Sequence, residues 1–244
     1  MEPVLRVEGL SRRFGMITVA DKLSFEVRMG ECLGVLGPNG AGKTSVFNML
    51  TGAIKPQAGG ILLDGKDITK VSAHRRTLAG VGRTYQVPQP FGKLTAYENV
   101  LAAAIFGGNA GGDAPGLSRD ILRRSGLAGR ADVEAGSLPL LDRKRLELSR
   151  ALALKPRLLL LDEIAGGLTE GEVGELVALI QDIKADVAMV WIEHVTNALV
   201  AVADRLLAIN FGTEIAQGLP AAVMADPAVV EVYMGAVYDA VAHD

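Results

Sequence analysis

The stretch that decides the fold is Gly37-Pro38-Asn39-Gly40-Ala41-Gly42-Lys43-Thr44, which matches the phosphate-binding pattern G-x-x-x-x-G-K-[ST] at every fixed position. Residues 32–36 before it form a short apolar run that predicts a buried parallel strand, and residues 44–50 after it predict a helix. Glycines let backbone N–H groups curl around phosphate oxygens, and the start of a helix adds partial positive charge. The pattern predicts a nucleotide-phosphate site in which Lys43 reaches the β and γ phosphates and the Thr44 hydroxyl binds Mg²⁺.

The composition predicts one α/β domain with a sizeable core. The chain has 244 residues, of which 49% are hydrophobic and 22% charged, and its formal net charge is −3. This charge gives no basic footprint, so we expect no nucleic-acid partner. Cys32 is the single cysteine, which excludes a disulfide framework and fits a small buried residue. Residues 1–9 lack a signal-peptide pattern, and no apolar run reaches the roughly 18 residues of a membrane span, so we expect a cytosolic chain.

An antiparallel β layer is predicted at the start of the chain. Residues 4–8 and 23–27 alternate between apolar and polar side chains, and residues 59–65 end a further strand in an Asp-Gly turn. Phe14 lies between the first two strands, beside two arginines. Its ring could stack on a nucleotide base or pack in the core, and the local sequence favours the core because phenylalanine is usually buried.

A second group of polar residues follows apolar strands further along the chain. Residues 158–161 are all leucine and lead directly into Asp162 and Glu163. A strand buried on both faces would place Asp162 beside the phosphate loop, where it can hold Mg²⁺ together with Thr44, while Glu163 can orient and deprotonate the attacking water. Residues 187–192 predict another buried strand, which ends at Glu193 and His194 on the same ligand-binding edge.

The middle and the end of the chain are predicted to be mainly helical. Thr95 and Glu98 form a capping-box pattern at the start of a helix over residues 94–106. Residues 107–116 predict a surface loop, with 110–114 as its mobile part, and residues 118–126 predict a short helix. Residues 205–216 predict a hairpin, and Asp226-Pro227 predicts the start of a last helix, whose apolar face is expected to pack on the core. That face consists of Val229, Val230, Tyr233 and Met234.

Taken in order, these landmarks resemble the ATP-binding subunits of ABC transporters over nearly the whole chain. The resemblance implies that Phe14 stacks on adenine, that Gly37 to Thr44 form the Walker A loop and that Gln86 belongs to the glutamine loop. It implies that Asp162 ends Walker B and that Glu163 is the catalytic glutamate. Residues 166–169 would form the D-loop and His194 would be the switch histidine. It also implies catalytic roles for Gln86 and His194, and Gln86 as a metal ligand. The resemblance replaces the local interpretation of Phe14 as a core residue.

The resemblance implies the fold as well. We expect a P-loop NTPase with a RecA-like parallel sheet core, an antiparallel β layer and an inserted helical subdomain. The whole chain, 1–244, would be a single nucleotide-binding domain, with residues 1–86 and 155–244 as its catalytic core and β layer. Residues 87–154 would be the helical subdomain, which touches the membrane partners.

The expected cofactors are ATP and Mg²⁺, and the expected reaction is ATP hydrolysis coupled to transmembrane transport. Expected partners are permease subunits, a second ATP-binding subunit and, indirectly, a solute-binding protein, with the chain peripheral on the cytoplasmic face of the membrane. Residues 82–86, 94–100, 192–194 and 232–235 look like the branched-chain amino acid importer branch. The alternative is an ATP-binding regulatory subunit with weak hydrolysis, in a complex that imports amides or urea.

One segment departs from the family pattern. The family's signature, Leu-Ser-Gly-Gly-Gln, aligns here with Leu138-Pro139-Leu140-Leu141-Asp142. In the family, the signature of one subunit binds the γ-phosphate held by the opposite subunit. Pro139 brings no hydroxyl donor and Leu141 puts a side chain where backbone must approach phosphate. We therefore expect a heterodimer in which the partner carries an intact signature.

Two other classes of nucleotide-binding protein fit the sequence less well. A GTPase would carry an Asn-Lys-x-Asp motif that reads guanine, and this chain has none. An ABC ATPase of the DNA-repair or chromosome type would need a long coiled-coil insertion, for which the chain is too short.

Overall fold

The computed structural model describes residues 2–107 and 112–233. The strands in these ranges are β1 (Leu5–Phe14), β2 (Ile17–Val27), β3 (Cys32–Leu36), β4 (Ala58–Leu63), β5 (Lys66–Asp67), β6 (Val81–Arg83), β7 (Leu158–Asp162), β8 (Ala188–Ile192), β9 (Arg205–Asn210) and β10 (Thr213–Gly218). The α-helices are α1 (Lys43–Thr51), α2 (Ala73–Leu78), α3 (Ala96–Phe106), α4 (Ala114–Arg124), α5 (Leu140–Ala153), α6 (Glu170–Lys184), α7 (Thr196–Val202) and α8 (Pro220–Met224), and residues 227–233 are also helical.

The central sheet has the strand order β10-β9-β3-β8-β7-β6. Strands β9, β3, β8, β7 and β6 run parallel, and β10 pairs antiparallel with β9 at the edge. Every residue of β3, β7 and β8 is buried, because α6 and α7 cover one face of these central strands and α1 with the antiparallel layer covers the other. The predicted parallel core is confirmed, and its carboxyl edge collects the ends of β3, β7 and β8.

The predicted antiparallel layer is also confirmed, as a sheet of order β2-β1-β4-β5. Strands β1 and β2 extend beyond the predicted segments and pair as far as Phe14 opposite Ile17. The pairing of β1 with β2 contains register shifts. The hydrogen-bonded strands therefore continue through residues that do not alternate between apolar and polar side chains. Asp64 and Gly65 both have positive φ and form the predicted turn between β4 and β5.

Buried apolar side chains form three clusters. One lies between the two sheets, a second packs α6 and α7 on the other face of the central sheet, and a third belongs to α3, α4 and α5. Helix α5 contributes Leu148 to the second cluster and Leu146 to the third. The helical segment therefore has a core of its own, and α5 joins that core to the central sheet.

The helical segment agrees with the sequence-based prediction at α3 but not at α4. Thr95 accepts a hydrogen bond from the N–H of Glu98 in the predicted capping box. Helix α4 begins at Ala114, because Asp113 Oδ1 accepts the N–H of Gly116 at 2.8 Å and caps the helix. The loop predicted over 107–116 was therefore wrong at its end, as was a helix start at residue 118. Of the predicted mobile connection, residues 110–114, residues 110 and 111 lie outside the described residues.

The end of the chain is partly as predicted. The hairpin of β9 and β10 and the helix that starts at residue 227 are both present. Val229 is 2% exposed, whereas Val230 is 40% and Tyr233 36% exposed, so the core-packing prediction was wrong for the latter two. Val229 packs into the apolar cluster beside α6 and α7, and Val230, the next residue of the helix, points about 100° away from it. Met234 lies outside the described residues.

Two further expectations concern Cys32 and the membrane. Cys32 is fully buried in β3, and burial raises the pKa of its thiol to about 12, so it serves as the predicted small core residue. Among the helices in the described ranges, none is long and apolar enough to cross a bilayer.

Candidate nucleotide site

The glycine loop between β3 and α1 opens onto a cavity of about 310 Å³. Gly42 has a φ of 105°, and a Cβ at this position would lie 2.2 Å from the carbonyl oxygen of Val19, so only glycine fits beside β2. Gly40 has a φ of 81°, and no other atom lies within 4 Å of the place of its Cβ. The loop is thus tight against the protein on one side and open on the side of the cavity. The cavity is lined by Ile17, Val19, residues 39–45 and Glu163.

Lys43 lies across this loop. Its Nζ donates to the carbonyl oxygens of Gly37 at 2.6 Å and Pro38 at 3.0 Å, and the residue is only 6% exposed. Burial lowers the pKa of Lys43, while the nearby carboxylates of Glu163 and Asp162 oppose that shift. The ammonium group is therefore held in the loop at the edge of the cavity, where it can meet a phosphate.

The loop is braced from outside by the turn between β9 and β10. Gly212 N donates to Ala41 O at 2.8 Å, and Asp21 N of β2 donates to Gly212 O at 2.8 Å. Tyr233 approaches from the last helix: burial raises the pKa of its phenol, and a hydrogen bond from the backbone of Gly37 opposes the shift. The position of the phosphate loop therefore depends on the β layer and on the end of the chain.

Asp162 ends β7 and is almost fully buried. Its Oδ2 accepts a hydrogen bond from Arg83 Nη2 at 2.7 Å, and its backbone N–H donates to Thr84 Oγ1 at 3.2 Å. Arg83 also donates from Nη1 to Asn48 Oδ1 on α1 at 2.8 Å. No sequence pattern predicted a role for Arg83, which is the last residue of the short strand β6 and lies three residues before Gln86.

Glu163 is held from two sides in a backbone conformation that is uncommon for a residue with a side chain. Its φ is 45°, and its N–H donates to Ile192 O at 2.9 Å. His194 Nε2 lies 2.7 Å from Oε1, and Gln86 Nε2 donates to Oε2. The structure thus brings together Gln86, Glu163 and His194, which the resemblance had given related roles.

Glu193, the neighbour of His194, organises the adjacent loops. Its buried carboxylate accepts the N–H of Ala165 at 2.9 Å through Oε2, and those of His194 at 2.9 Å and Val195 at 3.2 Å through Oε1. Lys144 of α5 is buried nearby; burial lowers its pKa, and the charges of Glu193 and Glu163 oppose the shift. The buried Lys144 of the helical segment is therefore close to Glu193 and Glu163. No local sequence pattern predicts this position of Lys144.

The segment that carries Gln86 is anchored to α5. Glu147 accepts hydrogen bonds from the backbone of Tyr85 and Gln89, and burial raises the pKa of its carboxyl group. Arg150 donates to Gln89 O at 2.8 Å and lies 3.0 Å from Glu147 Oε2. The glutamine segment thus touches the site at one end and the helical segment at the other.

Phe14 is 42% exposed and lies at the end of β1, so its local interpretation as a core residue was wrong. The Arg12 guanidinium lies 4.5 Å from the centre of its ring. Ile17, which pairs with Phe14 across the turn, lines the cavity beside the phosphate loop. An exposed ring in this position is available to stack on a nucleotide base.

The proposed metal ligands are Thr44, Gln86 and Asp162. Their hydroxyl, amide and carboxylate oxygens are the hard donors that Mg²⁺ prefers, and Mg²⁺ in nucleotide sites takes its other ligands from water and phosphate. The hydrogen bond and ion pair of the Asp162 carboxylate fall on Oδ2, which leaves Oδ1 for another partner. In the described part of the chain no cluster of three His, Cys, Asp or Glu side chains forms a metal site without substrate. The donor set therefore fits Mg²⁺ bound together with a nucleotide.

The altered signature lies at the start of α5. Pro139 occupies the cap position and gives no side-chain hydrogen bond, while Leu138 and Leu141 are buried. Asp142 is paired with Arg130 and Arg145, each at 3.5 Å. The helix start therefore presents proline and leucine side chains where the family pattern has serine and glycine.

A glycine loop between a buried strand and a helix, with carboxylates at the ends of the neighbouring parallel strands, defines a P-loop nucleotide-binding domain. A family model described as ABC transporter matches residues 20–166, and one described as branched-chain amino acid ATP-binding cassette transporter matches residues 214–239. The chain belongs to the ABC transporter ATP-binding family.

Relatives and solved structures agree with this family. The chain is 34% identical to the high-affinity branched-chain amino acid transport ATP-binding proteins BraF of Pseudomonas aeruginosa and LivG of Escherichia coli, over 96% of this chain and 98% of each relative. It is 32% identical to the lipopolysaccharide export system ATP-binding protein LptB of Acidithiobacillus ferridurans, with the same coverage. A crystal structure of the ADP conformation of an ATP-binding cassette of an ABC transporter superimposes with a TM-score of 0.87 at 29% identity, covering 96% of this chain and 100% of that one.

Proposed function

We propose that this chain binds and hydrolyses ATP and thereby powers an importer of branched-chain or related amino acids. The proposal rests on one observation: the phosphate loop and Glu163 line the same cavity. Gln86 and His194 contact the two carboxylate oxygens of Glu163. Lys43 would bind the β and γ phosphates, and Phe14 would stack on adenine. Glu163 would orient and deprotonate the attacking water.

Mg²⁺ would be held by Thr44, Gln86 and Asp162 together with the phosphates of the nucleotide. When bound, the ion neutralises charge that develops on the transferred phosphoryl group. The chain's own residues keep the phosphate loop rigid, aim Glu163 and bring His194 to the same carboxylate.

The transported solute and the partners are proposed from the relatives. The family match at residues 214–239 and the names of BraF and LivG support a branched-chain amino acid importer over the export system of LptB. Permease subunits would hold the chain at the cytoplasmic face of the membrane, and a solute-binding protein would deliver the substrate to them. The proposed domain division keeps residues 1–86 and 155–244 as the core and 87–154 as the helical subdomain.

The altered signature favours a second candidate function. A chain that binds ATP but turns it over poorly would act as a regulatory subunit, in a complex for amides or urea. Turnover by the chain alone, compared with turnover by the chain mixed with its partner ATPase, separates the two candidates. In vesicles that hold the whole complex, we expect ATP-driven uptake of leucine, and competition by isoleucine and valine but not by urea.

Nucleotide binding is tested by Lys43→Ala. The change removes the positive charge that faces the phosphates in a loop with little access to water, so we expect ATP affinity to fall below detection in an equilibrium titration. Lys66→Ala, on an exposed strand of the β layer, is the matched control and should bind ATP as the wild type does. Undiminished affinity of the Lys43 variant would overturn the assignment of the loop.

A further inference from the structure

Arg83 is a buried guanidinium that joins three elements around Asp162. It lies at the end of β6, and its two terminal nitrogens reach Asp162 on β7 at 2.7 Å and Asn48 on α1 at 2.8 Å. The side chain of Arg83 is 11% exposed and that of Asp162 is 7% exposed. An ion pair this deep in the protein is weakly screened by solvent, so its geometry matters more than that of a surface pair.

Two aromatic rings confine the guanidinium group. Its carbon lies 5.8 Å from the centre of the Phe47 ring and 5.0 Å from that of the Tyr85 ring. Rings at these distances attract a cation and limit its movement. Arg83 Nε is buried without a hydrogen-bond partner in the described structure, so the two terminal nitrogens carry the polar contacts. The arginine is thus fixed by packing and by two oriented hydrogen bonds.

In this arrangement the two carboxylate oxygens of Asp162 differ in their contacts. Oδ2 is occupied by Arg83, and the backbone of Asp162 is held through Thr84. A buried carboxylate without a nearby cation would be costly, and Arg83 balances its charge when no metal is bound. With Oδ2 fixed, the carboxylate cannot rotate freely and Oδ1 keeps one orientation. Asp162 lies close enough to Lys43 of the phosphate loop for its charge to raise the pKa of that ammonium group. Side chains that orient a ligating group in this way commonly change metal affinity about 10- to 100-fold when they are lost.

We propose that Arg83 is a positioning residue for the metal site and acts by holding the Asp162 carboxylate toward Mg²⁺. The inference rests on the proposed function, since it takes Mg²⁺ to bind with ATP at this site. The competing explanation is that Arg83 only ties β6, β7 and α1 together. Loss of a purely structural contact would lower the affinity for ATP equally with and without Mg²⁺. Loss of a positioning residue would lower only the increase in ATP affinity that Mg²⁺ causes.

The test measures the equilibrium affinity for ATP in Mg²⁺ and again in EDTA, and the ratio of the two is the gain from Mg²⁺. For Arg83→Met we expect this gain to fall about tenfold, while the affinity in EDTA changes less than about twofold. Arg83→Lys keeps the charge but lacks the second oriented nitrogen, so it should retain part of the Mg²⁺ gain. It also provides a second variant in case Arg83→Met does not fold. Arg157→Met is the matched control, because it breaks an exposed ion pair with Asp64 away from the cavity.

The route of action is tested by combining variants. In an Asp162→Asn background, Arg83→Met should cause no further loss of the Mg²⁺ gain, because the carboxylate through which Arg83 acts is already gone. An unchanged gain in folded Arg83→Lys and Arg83→Met, or equal losses in Mg²⁺ and EDTA, would overturn the inference but leave the proposed function standing. Failure of the wild-type chain to bind ATP in Mg²⁺ would overturn both.

Discussion

Glu163 is held by its neighbours in a way that suits its proposed role as a general base. Its positive φ turns the chain sharply after β7, and such conformations persist where the surroundings impose them. His194 and Gln86 then take one carboxylate oxygen each. A base that is fixed before the nucleotide arrives needs little reorganisation during the reaction, which is the usual origin of efficient proton transfer in enzymes.

Glu163→Gln should retain ATP binding and slow hydrolysis. The amide keeps the size of the side chain and can still contact His194 and Gln86, but it cannot accept a proton from water. Single-turnover hydrolysis at this site should therefore fall about 10²- to 10⁴-fold, as is typical for the loss of a general base. Glu170→Gln, an exposed glutamate at the start of α6, serves as the control and should hydrolyse ATP like the wild type. Hydrolysis by the Glu163 variant close to the wild-type rate would leave Glu163 with only a structural role.

Individual residues could be predicted from the sequence where their role follows from a local pattern. Lys43 and Asp162 are marked by a glycine loop and by the end of an apolar strand. The structure places Lys43 in the cavity lining and Asp162 near enough for its charge to act on Lys43. Arg83 and Lys144 could not be found in this way. Their positions depend on where β6 and α5 pack, which is a property of the tertiary structure.

Helix α1 shows the same limit at the scale of an element. Its start was predicted from the glycine loop, but its end is stabilised by Arg76, a fully buried residue of α2. Arg76 Nη1 donates to the last carbonyls of α1, Met49 O at 2.6 Å and Leu50 O at 2.8 Å, and its other nitrogens reach Val71 O and Thr69 O. Met49 O also accepts the N–H of Gly52 at 3.3 Å, so Arg76 matters most for the carbonyl oxygen of Leu50 at this helix end.

Arg76→Met should destabilise the protein by about 3 kcal/mol, because it leaves several buried carbonyl groups without a donor. Urea unfolding followed by circular dichroism measures the change. Arg75→Met alters the neighbouring, exposed arginine and should change the free energy of unfolding by less than about 0.5 kcal/mol. Equal effects of the two substitutions would show that Arg76 does not support the end of α1.

Helix caps explain which elements could be predicted. Thr95 with Glu98 and Thr169 with Glu172 form capping boxes, and a capping box is visible in sequence because both partners lie within four residues. Helix α4 was placed four residues too late because its cap, Asp113, lies in a stretch rich in glycine and alanine that resembles a loop. The long reach of Glu147 to the glutamine segment has no local pattern at all.

The contact between α5 and the glutamine segment predicts a pH dependence. Burial raises the pKa of Glu147 above its ordinary value of 4.5, so the folded protein binds this proton more tightly than the unfolded chain does. Its stabilising contribution is therefore complete below about pH 4.5 and is lost as the pH rises through the raised pKa. Relative to wild type, Glu147→Gln should gain stability as the pH rises above 4.5, as measured by urea unfolding at several pH values. A difference in the free energy of unfolding between the two proteins that does not change with pH would contradict the raised pKa of Glu147.

At the scale of the whole molecule, the helical segment is joined to the central sheet by apolar and ionic contacts of different strength. Apolar residues of α5 pack in two clusters at once. Ion pairs link the outer helices, with Arg124 at 2.5 Å from Asp182 and 2.6 Å from Asp186, and Arg145 at 2.5 Å from Glu175. Pairs as exposed as those of Arg124 contribute little free energy, so α5 carries most of the connection. The altered signature stands at the start of this same helix, where it would face a second subunit.

The signature therefore leads to a prediction about the assembled complex. Leu140 lies against the D-loop of its own chain, since a Cβ on Gly167 would be 3.4 Å from Leu140 Cδ2, and Pro139 offers no hydroxyl group. A homodimer would place this surface over both nucleotides. A heterodimer whose partner has an intact signature would complete the site built on Lys43, Asp162 and Glu163 and would impair only the partner's site.

We accordingly expect this chain to be the hydrolytic member of a hetero-oligomer, even though its own signature is altered. In the family, signatures act across the interface, so the partner's signature would serve the nucleotide bound here. The exposed Pro139 would face the nucleotide bound by the partner, while Leu141 is buried in this chain. Glu163→Gln in this chain should stop most ATP turnover of the purified complex, and the equivalent change in the partner should cost much less. The isolated chain should be weakly active, because two copies of it leave both nucleotides without a competent signature. Equal losses from the two glutamate variants, or full activity of this chain as a homodimer, would show that proline and leucine at these positions still support hydrolysis.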